Sequence, residues 1–203
     1  MKIVFNIILL AVSIGLIYLL IESIRKPIDF TNTRDHREEV VRAQLKDIAE
    51  LQKLYKGLRQ TFANDFDSLK LGLVSDTFYV EKMVGDPNDT TTQMITEEIK
   101  IPGKDSLLSW IREKGSDASI DEYFENIRKV PFSDGVLFMM ATDSAIVDGT
   151  DSLMAPTFAV GTQIKSYMPE YPKEDFAIYD PNYNPDNVRR VGDLKKTTTS
   201  GNW

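Results

Sequence analysis

One histidine and no cysteine stand in the 203 residues, and this bounds the available chemistry before any fold is considered. Nucleophilic triads and imidazole or thiolate metal centres need several such groups close together. His36 lies in Thr33-Arg34-Asp35-His36-Arg37-Glu38-Glu39, a charged run that reads as a solvated helix surface. Adjacent carboxylates occur at Glu97/Glu98 and Asp121/Glu122. Sequence neighbours on a strand or helix point apart, so neither pair forms a general acid–base dyad. The glycines at 57, 72, 85, 103, 115, 135, 149 and 161 are spread as turn punctuation and build no phosphate-binding loop. The expectation is a non-enzymatic protein without catalytic residues, metal or cofactor.

Oxygen-rich turns are the remaining chemical candidates. The stretches DPND at 86–89, DGTD at 148–151 and YDPNYNPDN at 179–187 carry ligands suited to calcium. None has the spaced ladder that ends in a bidentate glutamate, and turns use the same residue types for backbone reasons. A membrane-tethered ligand-, calcium- or glycan-binding module would use the first two of these loops. The triplets Asp67-Ser68-Leu69, Asp89-Thr90-Thr91, Asp105-Ser106-Leu107, Asp143-Ser144-Ala145 and Asp151-Ser152-Leu153 share another pattern. It resembles the O-glycan acceptor pattern of exported proteins in the Bacteroidetes, which implies a domain outside the cytoplasm. Asp-Ser is also a common capping and turn pair.

These residues depend on an anchor for their place. Ile3 to Ile21 carries no charge and is long enough to cross a bilayer as a helix. Lys2 closes one end, and Glu22, Arg25 and Lys26 close the other. No small-x-small cleavage site follows, so residues 1–26 read as a retained signal anchor and not as a cleaved signal peptide. Ala11, Gly15, Tyr18 and Glu22 recur at i, i+4, i+7 and i+11 and share one face. Small residues on such a face let a second membrane helix approach closely, and a polar side chain there avoids lipid. The basic residues Arg25, Lys26, Arg34 and Arg37 favour a cytoplasmic domain by the positive-inside count. A two-residue head before the span is the layout of an exported bacterial domain. The expectation adopted is a single-pass protein of the bacterial inner membrane with a periplasmic C-terminal domain.

The remainder suffices for one domain with its own core. A net charge of −7 argues against nucleic acid as a partner. Pro27 is predicted to end the membrane helix, with 27–33 as a linker. Val41, Leu45, Ile48, Leu51 or Gln52, Tyr55, Leu58 and Phe62 follow helical spacing. A turn and a short helix capped at Asp67 or Ser68 follow. Strands are predicted at 78–84, 93–101, 135–145 and 157–166, with 135–145 the most apolar and therefore central. Short helices are predicted at 105–114, capped at Asp105 or Ser106, and at 119–128. The soluble domain would run from 34 to 167. Residues 168–203, rich in proline and asparagine, read as an extended tail, disordered after about Leu194. The fold class is α+β, with a long amphipathic helix packed on an antiparallel sheet of about four strands.

Leu45, Ile48, Leu51, Tyr55, Lys56, Phe62, Ala63, Asp67 and Leu69 form a pattern that resembles type IV pilins and type II secretion pseudopilins. In those proteins a long helix carries a Tyr-Lys near its end. A spacer, an aromatic-Ala pair and an Asp-x-Leu then lead into an antiparallel sheet. The resemblance covers about a third of the chain. It implies a pilin-like domain that acts through protein–protein contacts in an envelope assembly such as a secretion, motility or pilus-like machine. The chain departs from the pattern in three places. It shows no basic leader ending in Gly-Phe, no glutamate near the start of the apolar helix, and a proline at 27. Those features govern processing and polymerisation, so the expected partners are the lipid bilayer and other envelope proteins, not filament neighbours.

Overall fold

The computed structural model describes residues 2–84, 95–147, 149–150 and 152–203. Everything hangs on one helix, α1 (Lys2–Arg59). Fifty-eight residues make a rod about 87 Å long. Its N-terminal third is the apolar run. Its C-terminal half presents Phe30, Val41, Leu45, Ile48 and Leu51, all fully buried, to the domain.

The predicted break at Pro27 and the linker at 27–33 do not occur, because Pro27 lies inside α1. A proline removes the bond to the carbonyl four residues back and costs about 3 kcal/mol in a helix interior. Local features offset this. The carbonyl released is that of Ser23, on an exposed stretch of the helix beyond the apolar run, where solvent can reach it. The i,i+4 ion pairs Glu22–Lys26 (2.8 Å) and Arg25–Asp29 (3.2 Å) clip the turns around the proline. Phe30, fully buried, would be uncovered if the chain left helical register.

The chain turns back after α1 through Phe62 and Ala63, both buried. α2 (Phe66–Ser75) starts with its cap two or three residues before the predicted Asp67 or Ser68. Asp65 is the N-cap, and its carboxylate accepts from the Ser68 N–H at 2.7 Å. β1 (Thr77–Val84) and β2 (Ile95–Pro102) then pair antiparallel, from Thr77 opposite Pro102 to Val84 opposite Ile95. The predicted turn at 85–89 lies outside the described residues, as do positions 93 and 94 of the second predicted strand. α3 (Gly103–Glu113) follows β2 with no side-chain cap, so neither Asp105 nor Ser106 serves as one. The Gly103 N–H is instead bound by the Asp76 carbonyl at 2.8 Å. α4 (Ile120–Ile127) is capped by Ser119.

The second sheet is β3 (Met139–Ile146), β4 (Met154–Gln163) and β5 (Val188–Gly192), antiparallel in the order β3-β4-β5. The expected single sheet is thus two, of two and three strands. The apolar stretch predicted to be central supplies β3, an edge strand. Met139, Ala141 and Asp143 alternate outward to solvent along it, while β4 buries Thr157, Phe158, Val160 and Thr162. α1 packs on β4 and β5.

The segment expected to be a tail is part of the domain, so no boundary exists at 167. Residues 168–203 contribute α5 (Lys173–Tyr179) and β5. Their Met168, Phe176, Tyr183 and Val191 share one core with Val41, Leu45 and Phe158. Disorder after Leu194 is likewise not found: Gly192 N–H bonds the Ser200 carbonyl at 3.0 Å and Asn202 N–H bonds Arg190 at 3.1 Å. Pro169, Pro172, Pro181 and Pro185 fall between segments whose aromatic side chains are buried or half-buried, so they fix turns and do not extend the chain.

Candidate membrane and partner interface

From Ile3 to Ile21 every residue of α1 is exposed, including Ile7, Leu10, Ile14 and Leu19. Among the described residues this is the one helix long and apolar enough to cross a membrane. The two polar side chains inside the run are Asn6 and Ser13, and Ser13 Oγ donates to the Leu9 carbonyl at 2.8 Å. Ala11, Gly15, Tyr18 and Glu22 all lie on α1, so helical geometry sets them on one face. A Cβ built on Gly15 would meet no atom within 4 Å. Counted at 100° per residue, this face lies about a quarter turn from Phe30, the residue that first meets the domain.

Above the basic pair Arg25/Lys26 the C-terminal residues close on α1. Phe30 is surrounded by Tyr171 (ring centroids 5.0 Å apart, edge-on), Phe176 (5.2 Å, edge-on) and Tyr179 (5.5 Å, tilted). Arg34 pairs with Asp180, and Arg37 donates to the Tyr167 carbonyl at 2.8 Å and to Glu170. The Arg37 guanidinium holds the Glu170 carboxyl below its ordinary range.

One helical turn higher lies a buried polar knot. Glu38, 5% exposed, forms ion pairs with Arg42 on α1 and with Arg189 on β5 at 2.7 Å. Its other oxygen accepts from the Tyr183 hydroxyl at 2.7 Å. Tyr183 and Tyr167 hydroxyls are 3.0 Å apart. Since Tyr183 spends its proton on Glu38, Tyr167 is the donor to Tyr183. Burial pushes the Tyr167 phenol up to about 12, and burial with the neighbouring Tyr167 and Glu38 raises Tyr183 as well. Burial opposes the charge on Arg189, yet Glu38 and the two tyrosines leave it raised overall. Arg34 and Arg189 both approach the Tyr183 ring, at 5.1 and 5.4 Å. Each acid–base group of the knot is tied to a partner, and the arrangement locks β5 and the 180–187 turn to α1; Arg42, half-exposed, borders a surface pocket with Glu39, Lys46 and Trp203.

Compared with family models, curated proteins and solved structures, the chain matches none of them. What it shares with pilins is an outline: a long N-terminal apolar helix followed by a small antiparallel sheet.

The sequence-level candidates scatter. His36 is exposed, its ring 5.9 Å from Phe132, which also lies beneath Arg37 at 5.1 Å. Phe132 has φ of 60°, a left-handed backbone for an aromatic residue, and it is exposed, as are Val136, Leu137 and Met139 in the residues that follow. Asp121 pairs with Lys70 at the start of α4. Glu97 and Glu98 occupy successive positions of β2. The loop 86–89, Asp148 and Asp151 lie outside the described residues. In the 179–187 turn Asp180 is taken by Arg34, and Asp186 by Lys165 (3.2 Å) and Lys173 (2.9 Å), so these carboxylates do not converge. Of the acceptor-like triplets, Ser144 and Ser152 are exposed, Ser68 and Ser106 are half-buried, and the triplet at 89–91 lies outside the described residues.

The knot was not found from sequence. The charged run around Glu38 reads as solvated, although Glu38 stands in helical phase with Phe30, Val41 and Leu45, the residues that define the buried stripe. A carboxylate in phase with an apolar stripe was the available signal.

Proposed function

We propose that this chain is a non-enzymatic, single-pass subunit of a bacterial envelope assembly, of the secretion, motility or pilus-like kind. It sits in the inner membrane with its domain on the periplasmic side. The observation that carries the reading is the unbroken α1: one exposed apolar rod of membrane length continues directly into the core of the domain. A stiff connection of this kind suits a component that relates a partner in the bilayer to a partner outside it. The Ala11, Gly15, Tyr18 and Glu22 face is the proposed contact for a membrane helix. Its quarter-turn offset from Phe30 leaves room for a second helix beside the domain. The Phe132, Val136, Leu137 and Met139 surface is the proposed contact for a soluble component. The pilin-like outline and the Phe62/Ala63/Asp67/Leu69 turn support the same class.

Two measurements test this. Protease treatment of spheroplasts should digest the C-terminal domain, and protection would overturn the periplasmic placement. Detergent extraction should bring stable membrane partners with the protein, and a monodisperse lone protein would overturn the subunit reading.

A further inference from the structure

We infer that α5 is a bilayer-facing foot: it seats the domain on the headgroup layer of the membrane that α1 crosses, with Ile178 and Tyr179 in contact with that layer. The inference rests on the membrane reading of α1 and adds a second point of contact to it.

Position comes first. α5 meets α1 at Phe30 through Phe176 and Tyr179, so it lies at the membrane-proximal end of the domain. Asp175 and Tyr179 are both within electrostatic reach of the Lys26 ammonium. Residues at i, i+3 and i+4 share a helix face. Ile178, three residues after Asp175, shares that residue's side of the helix, about 100° round from Tyr179, and so looks down the rod towards Lys26. Phe176, on the other side, is buried in the core.

Depth comes second. Lys26 is five residues beyond Ile21, or about 7.5 Å of helix rise. The headgroup layer on each side of the hydrocarbon is roughly 5–7 Å thick. The mean tilt of membrane helices, roughly 20°, lowers one side of a domain by several ångströms more. Tilting towards α5 brings its lower face into this layer.

Chemistry comes third. Ile178 is 68% exposed, and a lone exposed isoleucine is ordinary on a protein surface. Here it stands beside Tyr179, and an aromatic with a polar tip is the residue type that settles at the bilayer interface. The surrounding charges are Arg25, Lys26 and Lys173 against Glu22, Asp29, Glu174 and Asp175. They balance too closely to draw the domain to anionic lipid. The fitting occupant is thus the zwitterionic interface of the same bilayer.

The absence of native cysteine makes the test direct. Full-length I178C, L71C and L16C, each carrying a nitrobenzoxadiazole label, are reconstituted in phosphatidylcholine vesicles with and without phosphatidylcholine spin-labelled near the headgroup. Leu71, 69% exposed on α2 at the far end of the domain, matches Ile178 in type and exposure. The expected result is quenching at I178C several-fold greater than at L71C, with L16C lipid-exposed. Quenching at I178C no greater than at L71C, with L16C still in lipid, overturns the foot and leaves the anchor standing. A blue-shifted I178C emission without lipid quenching assigns the surface to a protein and also overturns it. An unquenched L16C removes the membrane reading itself, and the foot with it.

Discussion

The Glu38 carboxylate accepts a hydrogen bond from the Tyr183 hydroxyl at 2.7 Å, joining the first helix to a turn 145 positions away in sequence. Through the same carboxylate run the ion pairs to Arg42 and Arg189. Removing one partner of a buried ionic cluster leaves the others uncompensated, at a cost of about 3–5 kcal/mol. Arg42 is more open to water than Arg189 and recovers part of this. Glu38→Ala should therefore destabilise the domain by about 3 kcal/mol in urea titration. Trp203, over which Arg42 lies at 5.8 Å, is a native fluorescence reporter. A change under 1 kcal/mol would show that the knot is not a structural lock.

The tyrosines of the knot set an alkaline limit. The unfolded Tyr167 phenol ionises near 10, the folded one only near 12. A folded-state value raised in this way contributes stability that is complete below pH 10 and lost as pH climbs towards 12. The loss from this group is roughly 2–3 kcal/mol. Ultraviolet phenolate absorbance followed together with circular dichroism should show a late tyrosine fraction ionising with unfolding. Tyr167→Phe should shrink that fraction and flatten the pH dependence.

Gln52, fully buried, uses its side-chain amide as a strand would use its backbone. Its Nε2 donates to the Ala63 carbonyl at 2.8 Å, and the Ala63 N–H donates to its Oε1 at 2.9 Å. Gln52→Leu keeps the apolar volume and strands both backbone groups, each costing about 1–3 kcal/mol. A loss of about 2–4 kcal/mol in thermal or urea unfolding is expected. A neutral outcome would mean that water reaches Ala63.

Gly103 permits a close approach between two backbones. A Cβ there would stand 2.2 Å from the Leu73 carbonyl oxygen and 2.5 Å from that of Asp76, and neither can move as a side-chain tip would. Gly103→Ala should cost about 1–3 kcal/mol and separate α3 from the end of α2. Hydrogen exchange at the Gly103 and Asp76 amides is the readout, with faster exchange there than at Leu45.

On the proposed reading, Gly15→Leu should weaken association with the proposed membrane-helix partner by about tenfold, equivalent to ~1.4 kcal/mol. The urea midpoint of the soluble domain should not change. Quantitative co-purification from detergent measures the first and fluorescence the second.

The buried stripe of α1 was legible because Val41, Leu45 and Ile48 repeat at helical spacing, and the helix of membrane-spanning length because its apolar run is uninterrupted by charge. Pro27 misled because the rule for residues before proline is local, whereas Phe30 is held in register by Tyr171, Phe176 and Tyr179 from the other end of the chain. Composition misread 168–203 for the same reason: prolines and asparagines say nothing about Tyr183 and Val191 filling a core contributed elsewhere. Leu51 and Gln52 looked like alternatives for one inward position, yet both are buried, since the partner of Gln52 is a backbone that spacing cannot announce. β3 was apolar enough to look interior; its place at the sheet edge follows from strand order, which no single strand encodes.

Because Pro27 leaves α1 intact, the membrane face and the domain have a fixed angular phase. Inserting one residue between Glu22 and Phe30 would rotate Ala11, Gly15 and Tyr18 by about 100° against the domain. Inserting seven would nearly restore the angle while raising the domain by about 10.5 Å. A partner that grips both ends thus reads azimuth and height separately, and two insertions of different length suffice to tell which of them it requires.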